Sequence, residues 1–415
     1  MSLIPYSLLL MTSAQASLAP FNIWNDPATK KLRVRIANGV RQIKIHGIDL
    51  KLSDSSNLKL ENSGSTNWTI ECNDKGIIGR RSDSAAEIQW KTPLTIVSKS
   101  GFYQANDQLI RESAEIKLSG KFCDLLTELP FEQLVTAKMA EQTTKAMPDS
   151  ALDAEIIMVR SQLLYSILKQ REKSKNDYEI DAPKLLTLNN GEVLKEDYRL
   201  QASLKRTESA VLTLGPDAAP EIFQAHSHAS CAGKTVTPEN AWGRSIPGYK
   251  KPIACPACLT AGTVNWNTEI RERELINLML GGIDHTGVPS QWPRDWNRWF
   301  VRARLTGIEI KKRDESNRAQ IMTITFAFNE EAKMDFDITA STFKNWIGLD
   351  TIKSTRFTVA TGAVSARVNR FTFEGQGQGH GVGLCQTGAK SLASSGMNTE
   401  NILKTYFPAA QIRKL

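Results

Sequence analysis

A group of histidines and cysteines in the middle of the sequence has the composition of a metal site. His226, His228 and Cys231 are followed by the pair Cys255 and Cys258, which has Cys-x-x-Cys spacing. Short His/Cys and Cys/Cys spacings together supply four donors of the kind that tetrahedral zinc prefers. We expect His228, Cys231, Cys255 and Cys258 to hold a structural zinc ion. His226 is an alternative to His228, and a Cys255–Cys258 disulfide or a loop without a ligand are alternatives to zinc.

A glycine-rich stretch surrounds a single histidine near the end of the sequence. Residues 375–389 read GQGQGHGVGLCQTGA, with a glycine at every second position around His380. Each glycine loses backbone entropy on folding and packs no side chain, so a plain strand is unfavourable here. Close approach of another backbone or of a ligand is the usual reason for such a pattern. The stretch lacks the Gly-Lys-Ser/Thr of a phosphate loop and the glycine spacing of a dinucleotide site.

This stretch resembles the signature of the SpoIID/LytB family, whose pattern runs G-x-G-x-G-H-G-V-G-M-S-Q-Y-G-A and ends in I-L-x-x-Y-Y-P. Residues 401–408, NILKTYFP, are in register with that ending, and residues 352–357, IKSTRF, are similar to the family segment L-R-S-T-x-F. Residues 148–161 resemble the family's proline-initiated helix, and residues 228–231, HASC, resemble its H-S-T-C segment. The departures are Cys385 in place of serine and Thr387 in place of tyrosine, which indicate a divergent member.

The resemblance implies a peptidoglycan lytic transglycosylase that cuts between N-acetylmuramic acid and N-acetylglucosamine in strands stripped of stem peptides. In the family a glutamate before the proline-initiated helix is the catalytic acid. Counting back from Pro148 places Gln142 at that position, and a shift of one residue places Glu141 there. Glutamine cannot transfer the proton that cleavage requires. We assign the catalytic role to Glu141 and keep Gln142, which would leave a binding protein, as the alternative.

Further site residues follow from the same resemblance. Gly377, Gly379, His380 and Gln386 would line a glycan groove, and Arg160 would belong to the same binding set by supporting the catalytic helix. A non-catalytic glycan-binding protein or amidase enhancer is the rival interpretation, with a cell-wall amidase as a second partner besides glycan strands. A zinc hydrolase needs an open metal position, which four Cys/His ligands argue against.

Composition limits the class of protein. The 415 residues are 41% hydrophobic and 23% charged, so we expect a folded chain with a sizeable core. The net charge of +8 favours polyanionic surroundings such as nucleic acid, an anionic membrane or a cell wall. The basic residues occur as scattered pairs and triplets without a basic arm, so we expect no nucleic-acid partner.

The beginning of the sequence indicates export. The apolar run Leu3 to Met11 is followed by Ser13-Ala14-Gln15-Ala16, which has the form of a signal-peptidase site, although no Lys or Arg precedes the run. A buried strand is the alternative for this run. No later stretch is apolar for long enough to cross a bilayer, so we expect no transmembrane segment and a periplasmic or cell-wall location.

Periodicity predicts an α+β fold with a mixed, β-rich body and a long helix. The resemblance to the SpoIID/LytB family implies that this helix carries the active site and that the glycine-rich loop closes a glycan groove. Alternating runs from Leu32 to about Ser119 predict β-hairpins, and apolar residues spaced by three and four predict a helix over residues 148–169. Further helices are expected at 267–280 and 387–395, and strands at 302–310 and 320–328. The predicted regions are a signal peptide at 1–16, a β-rich part at 17–120 and a SpoIID-like part at 121–415 with a Cys/His insert at 225–262.

Two questions stay open at this level. Cys72 and Cys123 are either a disulfide or two buried thiols, because a sequence does not give the distance between them. Trp292, Trp296 and Trp299 would share one face of a helix, where packing in the core is a commoner use than stacking on a sugar.

Overall fold

A computed structural model describes residues 31–106, 108–111, 113–142, 147–173, 178, 180–181, 198–216, 219–262, 264–365 and 368–414. The predicted signal peptide at residues 1–16 lies outside these residues. The strands are β1 (Leu32–Val40), β2 (Gln42–Ile48), β3 (Leu50–Asp54), β4 (Lys59–Glu61), β5 (Ser65–Asn73), β6 (Gly76–Arg81), β7 (Glu87–Trp90), β8 (Leu94–Ser98), β9 (Tyr103–Ala105), β10 (Gln108–Ile110), β11 (Ser113–Ser119), β12 (Phe122–Leu129), β13 (Ile180–Asp181), β14 (Ala210–Leu214), β15 (Glu221–Ile222), β16 (Ser227–His228), β17 (Asn265–Arg271), β18 (Arg304–Arg313), β19 (Ala319–Ala327), β20 (Lys333–Thr339), β21 (Phe357–Ser365), β22 (Val368–Gln376), β23 (Leu384–Cys385) and β24 (Gln411–Lys414). The helices are α1 (Phe131–Gln142), α2 (Asp149–Lys173), α3 (Tyr198–Arg206), α4 (Pro238–Trp242), α5 (Pro256–Thr260), α6 (Glu272–Thr286), α7 (Trp296–Arg302), α8 (Ala340–Ile347), α9 (Gln386–Ser394) and α10 (Thr399–Tyr406).

Strands β1 to β13 form two sheets, which confirms the predicted hairpins. One sheet has the order β13-β1-β12-β11-β8-β3-β4 and the other the order β10-β9-β2-β5-β6-β7. Within β2, Ile43 and Ile45 are buried while the residues between them are exposed, as the alternation in the sequence requires. A disulfide between Cys72 in β5 and Cys123 in β12 joins the two sheets. The buried side chains of both sheets belong to one hydrophobic cluster.

Helix α2 lies at the centre of the helical part of the chain. Residues Ala154 to Ser161 are all buried, so this stretch is enclosed on every face rather than along one stripe. Helices α1, α3, α9 and α10 and strand β14 pack around it. The predicted helix at residues 148–169 is therefore confirmed, and the sequence pattern understated how completely it is covered.

A second hydrophobic cluster is built from residues 266–373. It contains the sheets β17-β22-β21 and β18-β19-β20 and the helices α6, α7 and α8. Trp292 and Trp299 are buried in this cluster, which favours core packing over sugar stacking for them. The helix predicted to begin at residue 267 begins at Glu272 instead, because Trp266 and Ile270 alternate along β17, which pairs with β22.

The predicted α+β class is confirmed, since sheets and helices occur together without regular β-α-β alternation. The predicted strands at 302–310 and 320–328 correspond to β18 and β19, and the short helix at 387–395 corresponds to α9. Across the described residues, every helix is either too short or too polar to cross a bilayer.

Arg160 ties the beginning of α1 to the middle of α2. Its side chain is fully buried, and its Nε and Nη2 donate to the carboxylate of Glu132 at 2.8 and 3.0 Å. Its Nη1 donates to the carbonyl oxygens of Thr207 and Ala210. This one guanidinium therefore joins α1, α2 and the turn that follows α3.

Replacing Arg160 with methionine should destabilise the protein strongly. Arg160→Met leaves two buried carbonyl groups and Glu132 without their donor, so we expect the free energy of unfolding to fall by about 2 kcal/mol. Lys169→Met on the same helix breaks an exposed pair with Glu172 and should cost less than about 1 kcal/mol. Denaturant unfolding measures both, and equal losses would contradict the role given to Arg160.

Candidate functional site

The glycine stretch packs directly against residues 226–236, which carry His226, His228 and Cys231. Strands β16 and β23 run parallel and pair Ser227 with Leu384 and His228 with Cys385. Isolated bridges join Ser230 to Gln378 and Val236 to Val382. Two segments more than a hundred residues apart in the sequence thus form one backbone layer.

The glycines are required because this contact is very close. A Cβ at Gly383 would lie 2.1 Å from the carbonyl oxygen of His226, and one at Gly377 would lie 2.6 Å from that of Ser230. Both glycines also have positive φ, which side-chain-bearing residues rarely adopt. The expectation that the glycines allow another backbone to approach is confirmed, and that backbone is residues 226–232.

Residues 352–357, the IKSTRF segment, form hydrogen bonds with both the glycine stretch and residues 226–232. Ser354 is fully buried and donates its hydroxyl to the carbonyl oxygen of Gln376. The backbone carbonyl of Lys353 accepts from the amide of Gly379 at 2.8 Å. Arg356 donates through Nη1 to the carbonyl oxygen of Ala232. This segment therefore fixes the position of the glycine stretch relative to residues 226–232.

Three histidines and a tryptophan form a cluster on this layer. The ring of His380 lies 5.0 Å from Trp242, 5.8 Å from His228 and 6.0 Å from His226, measured between centroids. Trp242 comes from α4, which Thr237 caps at its start through a hydrogen bond to the amide of Asn240. The cluster therefore depends on three separate parts of the sequence.

The histidines of this cluster carry no charge at neutral pH. Burial lowers the pKa of His226 to about 4, that of His228 to about 3 and that of His380 to about 2. His380 accepts a hydrogen bond at Nδ1 from the amide of Val382, which leaves its proton on Nε2. A neutral imidazole of this kind can donate to a ligand but is not a cation at pH 7.

A pocket of about 660 Å³ opens beside His380. Helix α4, strands β18 and β19, and helix α8 surround it. The lining residues that matter most here are Trp242, Asn240, Gln320, Arg318, Lys344 and His380. We call it the His380 pocket. It combines aromatic faces, amides and cations, which is the chemistry of a site for a polar, ring-shaped ligand.

Glu155 is a buried carboxylate that the sequence analysis did not single out. It lies in the fully covered part of α2, and its Oε1 accepts hydrogen bonds from Ser227 Oγ at 2.8 Å and from Gln386 Nε2 at 2.9 Å. Its Oε2 is buried and has no partner among the described residues. Burial raises the pKa of this carboxyl group above its ordinary value of 4.5. A charged residue inside the otherwise apolar run Ala154 to Val159 was the signal that could have revealed it.

The site residues predicted from the sequence are brought together only in part. Gly377, Gly379, His380 and Gln386 lie on the glycine stretch or directly after it, and Gln386 reaches inward to Glu155. Arg160 donates its described hydrogen bonds to Glu132, Thr207 and Ala210, none of which belongs to the glycine stretch. Glu141 and Gln142 form the end of α1, and their side chains lie outside the described part of the chain.

Four buried cysteines form a compact group behind the histidines. The thiol groups of Cys231, Cys255, Cys258 and Cys385 lie close enough to interact with one another in pairs. The side chain of His228 also lies within 4.8 Å of the ligand atoms of Cys231 and Cys385. All four predicted metal ligands therefore fall in one region. Cys385, which the sequence analysis noted only as a departure from the family pattern, joins them.

Polar groups support these sulfur atoms. Cys385 accepts from the amides of Cys231 at 3.3 Å and Gly388 at 3.4 Å. Ser230 Oγ lies 3.3 Å from the sulfur of Cys258, and the hydroxyl of Tyr406 lies 3.1 Å from that of Cys255. Donors of this kind stabilise thiolates around a metal. The group can hold a metal ion.

Comparison with known proteins gives two partial similarities. No family model matches the chain. It is 24% identical over 289 residues to an uncharacterised protein of Brachyspira hyodysenteriae, covering 69% of this chain and 68% of that protein. It is 25% identical over 152 residues to the amidase enhancer of Bacillus subtilis, covering 37% of this chain. The chain spans only 19% of the length of that amidase enhancer, so this similarity supports the resemblance to the SpoIID/LytB family in part.

Replacing Glu155 with glutamine should make stability less dependent on pH. Since folding raises the pKa of Glu155 above 4.5, the folded state holds this proton more tightly than the unfolded state. The contribution of Glu155 to stability is therefore complete below that pH and is lost as pH rises. Glu155→Gln keeps an acceptor for Ser227 and Gln386 and has no proton to lose.

Denaturant unfolding at pH 4.5 and pH 8 provides the test, with Glu172→Gln at the exposed end of α2 as the matched control. We expect the stability of Glu155→Gln relative to wild type to increase between the two pH values. If wild type and variant respond to pH in parallel, Glu155 does not ionise at a raised pKa.

Proposed function

We propose that this chain is an exported protein that acts on peptidoglycan glycan strands, which bind along the His380 pocket. The observation that carries this proposal is the pocket itself, in which His380 of the glycine stretch meets Trp242 and a set of amides. The partial similarity to an amidase enhancer supports a role in the cell wall. The disulfide between Cys72 and Cys123 fits an oxidising compartment, and the net charge of +8 favours binding to anionic wall polymers.

The reaction that we propose is lytic transglycosylation with Glu141 as the only acid and base. The carboxylic acid protonates the oxygen of the bond between N-acetylmuramic acid and N-acetylglucosamine, and that bond breaks. The 6-hydroxyl of the muramic acid residue then attacks its own anomeric carbon, and the carboxylate takes the proton that the hydroxyl loses. The products are a 1,6-anhydro end and a free N-acetylglucosamine end. No water is consumed, so the second carboxylate of a hydrolase is not needed.

A second candidate is a non-catalytic glycan-binding protein that enhances a cell-wall amidase. The similarity to an amidase enhancer over 152 residues of this chain favours this candidate. In that case Gln142 rather than Glu141 would face the bound glycan, and the site would bind without cutting. Both candidates bind glycan at the same site. They differ in whether an acidic side chain is present there to donate a proton.

Glu141→Gln should separate these candidates. If Glu141 is the acid, the variant binds denuded glycan strands as wild type does but loses at least about a hundredfold in cleavage, which is the usual contribution of a general acid. Mass spectrometry of the digest for 1,6-anhydro ends measures the activity, and a sedimentation assay with insoluble glycan measures binding. Gln142→Glu is the matched comparison at the neighbouring position.

The absence of anhydro ends from wild type would remove the transglycosylase proposal and leave the non-catalytic candidate. Equal product from wild type and Glu141→Gln would show that another residue supplies the proton.

We also propose that the cysteine group holds a structural zinc ion through Cys231, Cys255, Cys258 and Cys385. Four buried thiolates repel one another unless a cation lies between them, and a set of four sulfurs suits tetrahedral zinc. The ion would join residues 231–258 to the start of α9, and with four protein ligands it would take no part in catalysis. His228 Nε2, which is buried and has no hydrogen-bond partner among the described residues, is the alternative fourth ligand.

Metal analysis of variants decides between the two ligand sets. We expect one zinc ion per chain in wild type and in His228→Asn, and a loss of at least about tenfold in zinc affinity in Cys385→Ser. Replacement of zinc by Co²⁺ should give strong sulfur-to-metal charge-transfer bands. The reverse result, loss in His228→Asn and retention in Cys385→Ser, would assign the fourth position to His228. A Cys255–Cys258 disulfide in the purified protein would contradict the zinc proposal.

A further inference from the structure

We propose that the His380 pocket contains a carboxylate-binding subsite, in which the ammonium group of Lys344 holds the lactyl carboxylate of a muramic acid residue that carries no peptide. This inference rests on the proposed function and names the feature of the glycan that the pocket would select. Nothing in the sequence pattern around Lys344 indicates such a role.

Lys344 is a cation in an unusual position. It lies on α8, is only 7% exposed and borders the His380 pocket. Its ammonium group forms no hydrogen bond or salt bridge with any other described residue. Burial, and then the charge of Arg318, lowers its pKa to about 8. A buried ammonium group without a counter-charge is costly, so an anion that enters the pocket would be stabilised there.

Arg318 adds a second buried positive charge to the wall of the pocket. Its side chain is 1% exposed, and only its Nη2 has a described partner, the carbonyl oxygen of Cys231 at 3.2 Å. Its Nε and Nη1 are buried without partners. Gly381 packs on the guanidinium, since a Cβ there would lie 2.7 Å from the Arg318 Cζ atom. Arg318 therefore packs against the glycine stretch at the wall of the pocket.

The negative groups nearby leave Lys344 uncompensated. Two carboxylates, Glu239 and Asp314, also line the pocket. Asp314 Oδ1 accepts from the amide and hydroxyl of Ser316 and from the amide of Arg318, and neither carboxylate forms a salt bridge with Lys344. The carboxylate of Asp314 acts first on Arg318, whose backbone amide it also accepts from. Lys344 is therefore the cation that an entering ligand would meet.

The rest of the pocket suits a sugar that carries one acid group. A volume of about 660 Å³ is within the range of small-molecule sites and is large enough for a saccharide unit. Trp242 and His380 offer ring faces, and Asn240 and Gln320, joined by a hydrogen bond of 2.9 Å, offer amide groups. N-acetylmuramic acid has a sugar ring, an acetamido group and a lactyl carboxylate. When a stem peptide is attached, that carboxylate becomes an amide and its charge is lost.

The first experiment compares small ligands on the full-length protein. Calorimetry, with tryptophan fluorescence as a second signal, measures binding of N-acetylmuramic acid, N-acetylglucosamine and inorganic phosphate. We expect N-acetylmuramic acid to bind at least about tenfold more tightly than N-acetylglucosamine, as a hydrogen bond to a charged group implies. Lys344→Met should abolish this preference and Lys344→Arg should retain most of it. Lys333→Met, at an exposed lysine of β20 outside the pocket, should behave as wild type does.

Each possible result supports or overturns the subsite. Equal binding of the two sugars by wild type, or an unchanged preference in Lys344→Met, overturns it. Phosphate that displaces N-acetylmuramic acid at equal concentration would show a general anion site and overturn the assignment to a carboxylate-bearing sugar. Circular dichroism and unfolding of Lys344→Met show whether a loss of preference comes from a folded protein, and Lys344→Arg decides the matter if the methionine variant does not fold.

A second experiment separates this inference from the proposed function. Insoluble glycan strands are prepared with and without stem peptides, and retention of wild type and Lys344→Met is measured. Retention of wild type on both preparations to the same extent leaves the proposed function in place and removes the subsite. Failure to bind any strand, together with Lys344-dependent binding of free N-acetylmuramic acid, removes the proposed function and leaves the subsite.

Discussion

The candidate site depends on the direct contact between two backbone segments, residues 226–236 and residues 375–385. The two segments can approach this closely because Gly377 and Gly383 place no side chain between their backbones. The three histidines, two of the four cysteines (Cys231 and Cys385) and part of the wall of the His380 pocket belong to these two segments. A side chain at any of the closest glycines would separate the groups whose chemistry the site needs.

Burial acts in opposite ways on the groups around this layer. It keeps the three histidines neutral, so that they behave as polar rings rather than as cations. It raises the pKa of Glu155, which accepts a hydrogen bond from Ser227, and so favours the protonated carboxyl group. Arg318 keeps its charge in spite of burial, because an arginine side chain does not give up its proton at physiological pH. The electrostatic character of the pocket is therefore set by its lysine, arginine and carboxylate side chains and not by its histidine.

The sequence alone was sufficient for features that depend on local periodicity. Alternation gave the hairpins before Ser119, and spacing of three and four gave helix α2, since both patterns reflect which face of a single element is covered. The glycine stretch was also interpretable, because repeated glycine implies close approach wherever the partner lies. The start of α6 was misplaced because Asn265–Arg271 pairs with β22, about a hundred residues later, and this pairing outweighs helix propensity.

Residues whose role comes only from distant neighbours could not be found in this way. Cys385 is isolated in the sequence and meets the other cysteines through the pairing of β16 with β23. Lys344 and Arg318 look like ordinary surface cations until the fold buries them, and Glu155 looks like one more charge on a helix. Whether a charged side chain has a partner among the described residues depends on three-dimensional packing, which no local sequence pattern indicates.

The separation of the two segments along the chain also affects how the protein is made. His228 and its hydrogen-bond partner Val382 are 154 residues apart, so the site cannot exist while only the earlier segment has been synthesised. The two N-terminal sheets, by contrast, are closed by contacts within the first 130 residues, apart from the short strand β13. A nascent chain can thus pair the strands of these two sheets before the two segments of the candidate site meet, and the candidate site forms only after synthesis has passed Cys385.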